Sequence, residues 1–288
     1  MLVDLVRVKT SDGVRLEGVL SEPPAGVANS HDFDLVVQHH GAGANFYSLS
    51  FFDRQRDYLL AQGVPVLRVN NRGHDYMYQA PGGRLGSAYE AMDDSRKDYS
   101  AWLDLAVERG YHRVCVWAHS LGAVKAVHHM AVDKDPRVVR LVVSSPPRFS
   151  HSLFLAKDAS GRFKADYAEA QQAMADGKPT HIMPVSIPAP QVVSARTYLD
   201  KFGPHDRWDV VARLPELSLP VLLTLGALEG RGPGHGDWYS FGGLADALAE
   251  AAEGQANLTL RVIDGADHGY TGKSAELWAA VDGWLRAS

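Results

Sequence analysis

Residues 113–126 read RVCVWAHSLGAVKA, and this stretch decides the fold. Positions 114–117 form a short apolar run with the length of a buried strand. Ala118-His119-Ser120-Leu121-Gly122 interrupts it, and positions 123–130 then have the composition of a helix. A strand, an abrupt small-residue turn centred on a serine, and a helix form an arrangement that presents the serine Oγ at the edge of a sheet, beside the first N–H groups of the helix. Small neighbours are required because strand and helix nearly touch there. Ala118 stands where such turns more often carry glycine.

Outward from this segment the chain alternates between the two periodicities. Residues 2–9 and 14–20 alternate apolar and polar across Ser11-Asp12-Gly13, which predicts a hairpin. Leu35–His39 is a continuous apolar run, 51–62 has helical spacing, 64–69 is another short strand, and 88–109 reads as a long amphipathic helix closed by Gly110. Beyond the serine turn come strand 138–143, strand 221–225, a helix at Leu244–Ala252, strand Leu258–Ile263 and a last helix at 275–286. An opening hairpin followed by alternating strands and helices predicts an α/β fold, with a mostly parallel sheet covered on both faces. Functional sites in such sheets form at the carboxyl ends of the strands.

Residues 145–219 break the rhythm. They hold a helical stretch at 165–175 and the run HIMPVSIPAPQ, where Pro184, Pro188 and Pro190 disfavour a regular element. The preferred reading divides the chain into a core, 1–144 with 220–288, and a cap, 145–219, inserted over the site. Long structureless loops are uncommon in compact domains; the other reading is an irregular crossover. Phe149, Phe154, Phe163, Tyr167, Met174, Met183 and Tyr198 suit either a wall for an apolar substrate or the insertion's own core.

The chain has 288 residues, 45% of them hydrophobic and 22% charged, with a formal net charge of −5. That is ordinary globular composition. Without a Lys/Arg block it does not suggest a nucleic-acid surface, and no apolar run approaches the roughly 20 residues that span a bilayer. The N-terminus alternates like a strand and does not read as a signal peptide. The single cysteine, Cys115, falls in the strand before the serine turn. It reads as core filling and suits a reducing cytoplasm.

Two further segments fall where an activated serine needs them. Strand Leu258–Ile263 leads to Asp264-Gly265-Ala266-Asp267-His268-Gly269, placing His268 at the end of the last strand. Strand 221–225 leads to Gly226-Ala227-Leu228-Glu229, placing a carboxylate at the end of the one before. A serine hydroxyl is a weak nucleophile until an imidazole takes its proton, and a buried carboxylate orients that imidazole. Ser120, Glu229 and His268 are the candidate catalytic set. Asp237, further along the same loop, is the rival acid; Asp267, Asp206 and Asp209 rank below it. His40-Gly41-Ala42-Gly43-Ala44-Asn45 follows another strand directly, so the N–H groups of Ala42 and Leu121 are the candidate oxyanion donors.

The segments HHGAGANF, NNRGHD, WAHSLGA, TLGALE and GADHGY, in this order, resemble the α/β-hydrolase superfamily over nearly the whole chain. NNRGHDYMY, AYEAMDD, ARTYLDKFGP and TLGALEG are similar, more narrowly, to a little-characterised branch that includes fungal siderophore-ester hydrolases. The resemblance implies an eight-stranded, mostly parallel sheet with a cap, and a serine hydrolase acting on an ester, lactone or related acyl bond. It would place the family's serine, acid and histidine on Ser120, Glu229 and His268. Transferase, lyase or carbon–carbon-cleaving chemistry uses the same scaffold, and a non-catalytic receptor is the remaining alternative. Asn45, His119, His74 and Tyr76 are candidate pocket residues, and Arg72 reads as a structural ion-pairing group. The pairs His39-His40 and His128-His129 lack metal-ligand spacing. No cofactor or metal is expected, and the expected partner is a small acyl substrate. The apolar face of the C-terminal helix either packs on the sheet or pairs two subunits.

Overall fold

The structure, a computed structural model, describes residues 3–48, 50–230 and 239–287. Eight strands build one sheet: β1 (Asp4–Lys9), β2 (Arg15–Ser21), β3 (Leu35–His39), β4 (Val66–Val69), β5 (Val114–His119), β6 (Val138–Ser144), β7 (Val221–Gly226) and β8 (Leu258–Ile263). Their spatial order is β1-β2-β4-β3-β5-β6-β7-β8. The hairpin β1–β2 and the β2–β4 pair are antiparallel, and β3 through β8 are mutually parallel.

The continuous apolar runs are explained by burial from both sides. Along β5, Val114, Val116 and Ala118 enter one core while Cys115 and Trp117 enter the other. Strand β7 divides in the same way, with Leu223 on one face and Leu222 on the other. Helices α2 (Ser95–Glu108), α3 (Leu121–Val132) and α8 (Leu244–Ala252) cover the first face. Helices α1 (Ser50–Ala61) and α9 (Ser274–Ala287) cover the second. Each large apolar side chain so buried contributes roughly 1.5–3 kcal/mol. The apolar face of α9, through Leu277, Val281, Trp284 and Leu285, is used against the sheet. Among the described residues no helix is long and apolar enough to cross a membrane.

Two sequence expectations are corrected. The helix expected from residue 88 begins at Ser95. Between 86 and 94 distant partners take the groups that a helix would use: Ser194 N–H donates to the Ala88 carbonyl (2.8 Å), and Met92 N–H donates to Asp200 Oδ2 (2.9 Å). The ends of the proline-spaced run are also regular, contrary to the breaker reading at Pro184, whereas Pro188 and Pro190 fall in the bend between them, as that reading expects. Ile182–Val185 pairs antiparallel with Gln191–Ser194, with Pro184 opposite Val192. A two-stranded ribbon has only edges, so the N–H that proline lacks can fall on the unpaired side.

Helices α4 (His151–Lys157), α5 (Arg162–Ala175), α6 (Ala195–Phe202) and α7 (Val210–Arg213) occupy the segment between β6 and β7. Phe154, Phe163, Met183 and Tyr198 are all fully buried in a third apolar cluster, which rests on Met92, Leu121 and Val124. Most of the aromatic residues there thus form that segment's own core. Met174 instead is exposed.

Candidate active site

Ser120 sits between β5 and α3 with φ 55° and ψ −128°. This is a costly conformation for a side-chain-bearing residue, and it persists only where the surroundings impose it. Here its N–H is tied to the Ser144 carbonyl at the end of β6 (2.9 Å). Its Oγ lies 2.9 Å from His268 Nε2, and His268 Nδ1 lies 2.9 Å from Glu229 Oε2. Three residues separated by up to 148 positions are brought into one hydrogen-bonded line, because each follows the carboxyl end of a strand in the same parallel run of the sheet.

The second oxygen of the Glu229 carboxylate is held as firmly. Oε1 accepts from Gly226 N–H and from the Ser145 hydroxyl, both at 2.6 Å. The Ser145 oxygen is 2.8 Å from the Tyr270 hydroxyl, which lies 2.9 Å from Thr224 Oγ1. Burial, reinforced by the charge on Glu229, raises the Tyr270 pKa, so its hydroxyl stays protonated. Ser145 and Tyr270 also have positive φ, 50° and 52°. Neither was legible beforehand, since nothing about an isolated serine or tyrosine marks it as a partner of a distant carboxylate.

Close backbone approach explains the glycines. A Cβ on Gly122 would lie 2.4 Å from the His40 carbonyl oxygen, and one on Gly41 would lie 2.8 Å from Ser120 Cβ. The loop after β3 therefore runs directly against the serine turn. Ala42 and Leu121 both line the cavity onto which Ser120 and His268 open. As the first residue of α3, Leu121 has an N–H without an intrahelical acceptor.

A model of the Alpha/beta hydrolase family matches residues 35–281. The chain belongs to the α/β-hydrolase family. Solved structures of similar fold include an α/β hydrolase named GrgF from Penicillium sp. sh18, with 13% identity, 100% of this chain and 99% of that chain covered, and a TM-score of 0.69. Est1E from Butyrivibrio proteoclasticus with ferulic acid bound has 15% identity, 98% of each chain covered and a TM-score of 0.65. The Pyrococcus furiosus esterase Pf2001 has 18% identity, 99% and 91% covered, and a TM-score of 0.61. No curated protein matches.

In this α/β hydrolase the cavity has a volume of about 230 Å³. It is walled chiefly by Phe149, Phe202, Phe241, Pro147, Pro188 and Val192. Of the pocket candidates only Tyr76 lines it. The others are engaged elsewhere. Asn45 Nδ2 donates to Asp75 Oδ1 (3.0 Å), and His74 pairs with Asp75 and stacks on Tyr78. His119 lies beneath His268 and donates from Nε2 to its carbonyl oxygen (2.8 Å). Burial, with His268 adding to it, pushes the His119 pKa down to about 3, so it is neutral.

The remaining candidates have structural positions. Asp267 caps its own turn by accepting from Gly269 and Thr271 N–H, Asp209 pairs with Arg148, and Asp206 accepts from His151 N–H. Asp237 lies outside the described residues. Arg72 pairs with Asp98 and Asp12, as the structural reading expects. His39 stacks on Tyr99. His40 accepts from Asn71 N–H at Nε2 while its Nδ1 faces the Gly41 carbonyl, the pattern of a neutral ring. Burial holds His40 down to about 3. Cys115 is fully buried.

Proposed function

We propose that this α/β hydrolase is a serine hydrolase of the cytoplasm that cleaves an ester, lactone or related acyl bond of a small molecule. Ser120 Oγ attacks the carbonyl carbon while His268 Nε2 takes its proton. Glu229 holds the proton on Nδ1 and stabilises the imidazolium that forms. The N–H groups of Ala42 and Leu121 receive the developing oxyanion. His268 returns the proton to the leaving alcohol, and a water activated by the same imidazole then releases the acyl group from Ser120. Residues 145–219 act as the cap that shapes the substrate cavity. No cofactor takes part.

The observation that carries this reading is the relay of two 2.9 Å contacts from Glu229 through His268 to Ser120, with Ser120 opening on a largely apolar cavity. Intact-mass analysis after exposure to a fluorophosphonate tests it. One adduct per wild-type chain and none on Ser120→Ala is the expected result, together with turnover of short-chain aryl esters by wild type alone. Folded wild-type protein that takes up no label and turns over no ester would overturn the reading.

A further inference from the structure

One buried side chain of the cavity has no role in that chemistry. Lys201, on α6, is 3% exposed and lines the same cavity as Ser120. Its Nζ donates to Glu90 Oε1 (2.8 Å) and to the Ser87 carbonyl oxygen (3.2 Å). The other oxygen of Glu90 is taken by Lys125 Nζ, which also donates to Asn71 Oδ1 (3.0 Å). A single buried carboxylate therefore serves two buried ammonium groups. Neither of the nearby carboxylates Asp98 and Asp200 bonds these lysines. Asp98 is bonded by Arg72, which also takes Asp12, and Asp200 accepts from Met92 N–H, so both act on the lysines only through space.

The electrostatics agree with this crowding. Burial works against its charged form, yet the two lysines hold Glu90 down to about 2. Burial, with Lys201 adding to it, lowers the Lys125 pKa against the pull of Glu90. Of the two lysines only Lys201 lines the cavity. Two of its three N–H groups are used, and the third has no acceptor among the described residues. A buried ammonium with one donor left over is costly until an acceptor shares its site, and a carboxylate is the strongest acceptor for it. The apolar walls mean that such an anion arrives at the end of an apolar body.

We propose that the substrate of this α/β hydrolase is an acyl compound that carries a carboxylate remote from the bond cleaved, and that Lys201 binds this carboxylate inside the cavity. The inference rests on the hydrolase reading above for the location of the bond cleaved. The competing role for Lys201 is a strut joining α6 to segment 86–94. Asp200 makes a similar link, accepting from Met92 N–H (2.9 Å), and does not line the cavity. It therefore supplies the control.

The test uses Ser120→Ala, which holds esters without turnover, and calorimetric titration with ethyl hydrogen adipate and ethyl hydrogen suberate against the corresponding neutral ester amides. Tighter binding of the carboxylates by about 10- to 100-fold is expected, the worth of a hydrogen bond to a charged group. Adding Lys201→Met should abolish that preference, whereas adding Asp200→Asn should preserve it. Equal binding of carboxylate and amide, no binding of either, or a preference that survives Lys201→Met would overturn the proposal. So would loss of the preference in both double variants, which would indicate a strut. Fluorophosphonate labelling of wild type is read separately, so failure of the hydrolase reading is not confused with failure of this one.

Discussion

Replacing Glu229 with glutamine should cost this enzyme about four orders of magnitude in kcat, and the geometry says why. Glu229 Oε1 faces two donors, Gly226 N–H and the Ser145 hydroxyl, each at 2.6 Å. A glutamine amide has one acceptor and one donor end. Turning its NH₂ toward Gly226 would set donor against donor and forfeit that buried hydrogen bond, at about 1–3 kcal/mol, while the Ser145 hydroxyl would have to rotate to accept. The oxygen must therefore stay there, and the NH₂ must face His268 Nδ1. That nitrogen then accepts, the ring proton moves to Nε2, and Nε2 points a hydrogen at Ser120 Oγ where a lone pair is needed. An imidazole locked in the wrong tautomer lowers kcat by about 10⁴, or roughly 5 kcal/mol at 1.36 kcal/mol per tenfold. Because the Glu229 side chain is fully buried and glutamine has the same shape, the thermal midpoint should move by only a few degrees. The assay is turnover of a short-chain aryl ester, with fluorophosphonate labelling of Ser120 as the second readout. Retention of kcat within about tenfold in a folded Glu229→Gln protein would refute the argument. Asp237→Asn is expected to leave kcat unchanged.

Two further outcomes concern stability. His119 has a folded pKa of about 3 against an ordinary 6.5, so below pH 6.5 the unfolded chain takes up a proton that the folded chain refuses. Stability then falls as pH falls, by about 1.4 kcal/mol per unit between 6.5 and 3. Urea unfolding at pH 7 and pH 5 should show His119→Gln losing about 2 kcal/mol less than wild type, and equal losses would count against a neutral buried His119. Gly122→Ala forces a Cβ to within 2.4 Å of the His40 carbonyl oxygen. Backbone must move, at a cost of about 1–3 kcal/mol; an unchanged thermal midpoint with unchanged Ser120 labelling would show that the approach is looser than described.

The sheet was legible in the sequence wherever local pattern and tertiary demand coincide. Strands β3 and β8 and helix α8 have the bounds that their apolar runs predict. The serine turn is legible for the same reason, since a strained turn between a buried strand and a buried helix admits only small neighbours. Segment 86–94 shows where legibility ends. Amphipathic spacing predicts helix from residue 88, but Asp200 and Ser194, about a hundred positions away, bond the backbone groups of Met92 and Ala88. Local spacing does not record such partners.

By itself the sequence determined the order of strands and helices, the burial of both sheet faces, and the placing of Ser120, Glu229 and His268 just past three strand ends. These depend on hydrophobic period and turn chemistry within a few residues, and parallel strands carry their ends to one edge. Only the tertiary structure decided which oxygen of Glu229 meets Ser145 and which meets His268, which aromatic residues wall the cavity, and that Lys201 shares a buried carboxylate with Lys125. Each of these links side chains from distant segments, 111 positions apart for Lys201 and Glu90. Their direction is set by packing against one another, which no local pattern of residues encodes.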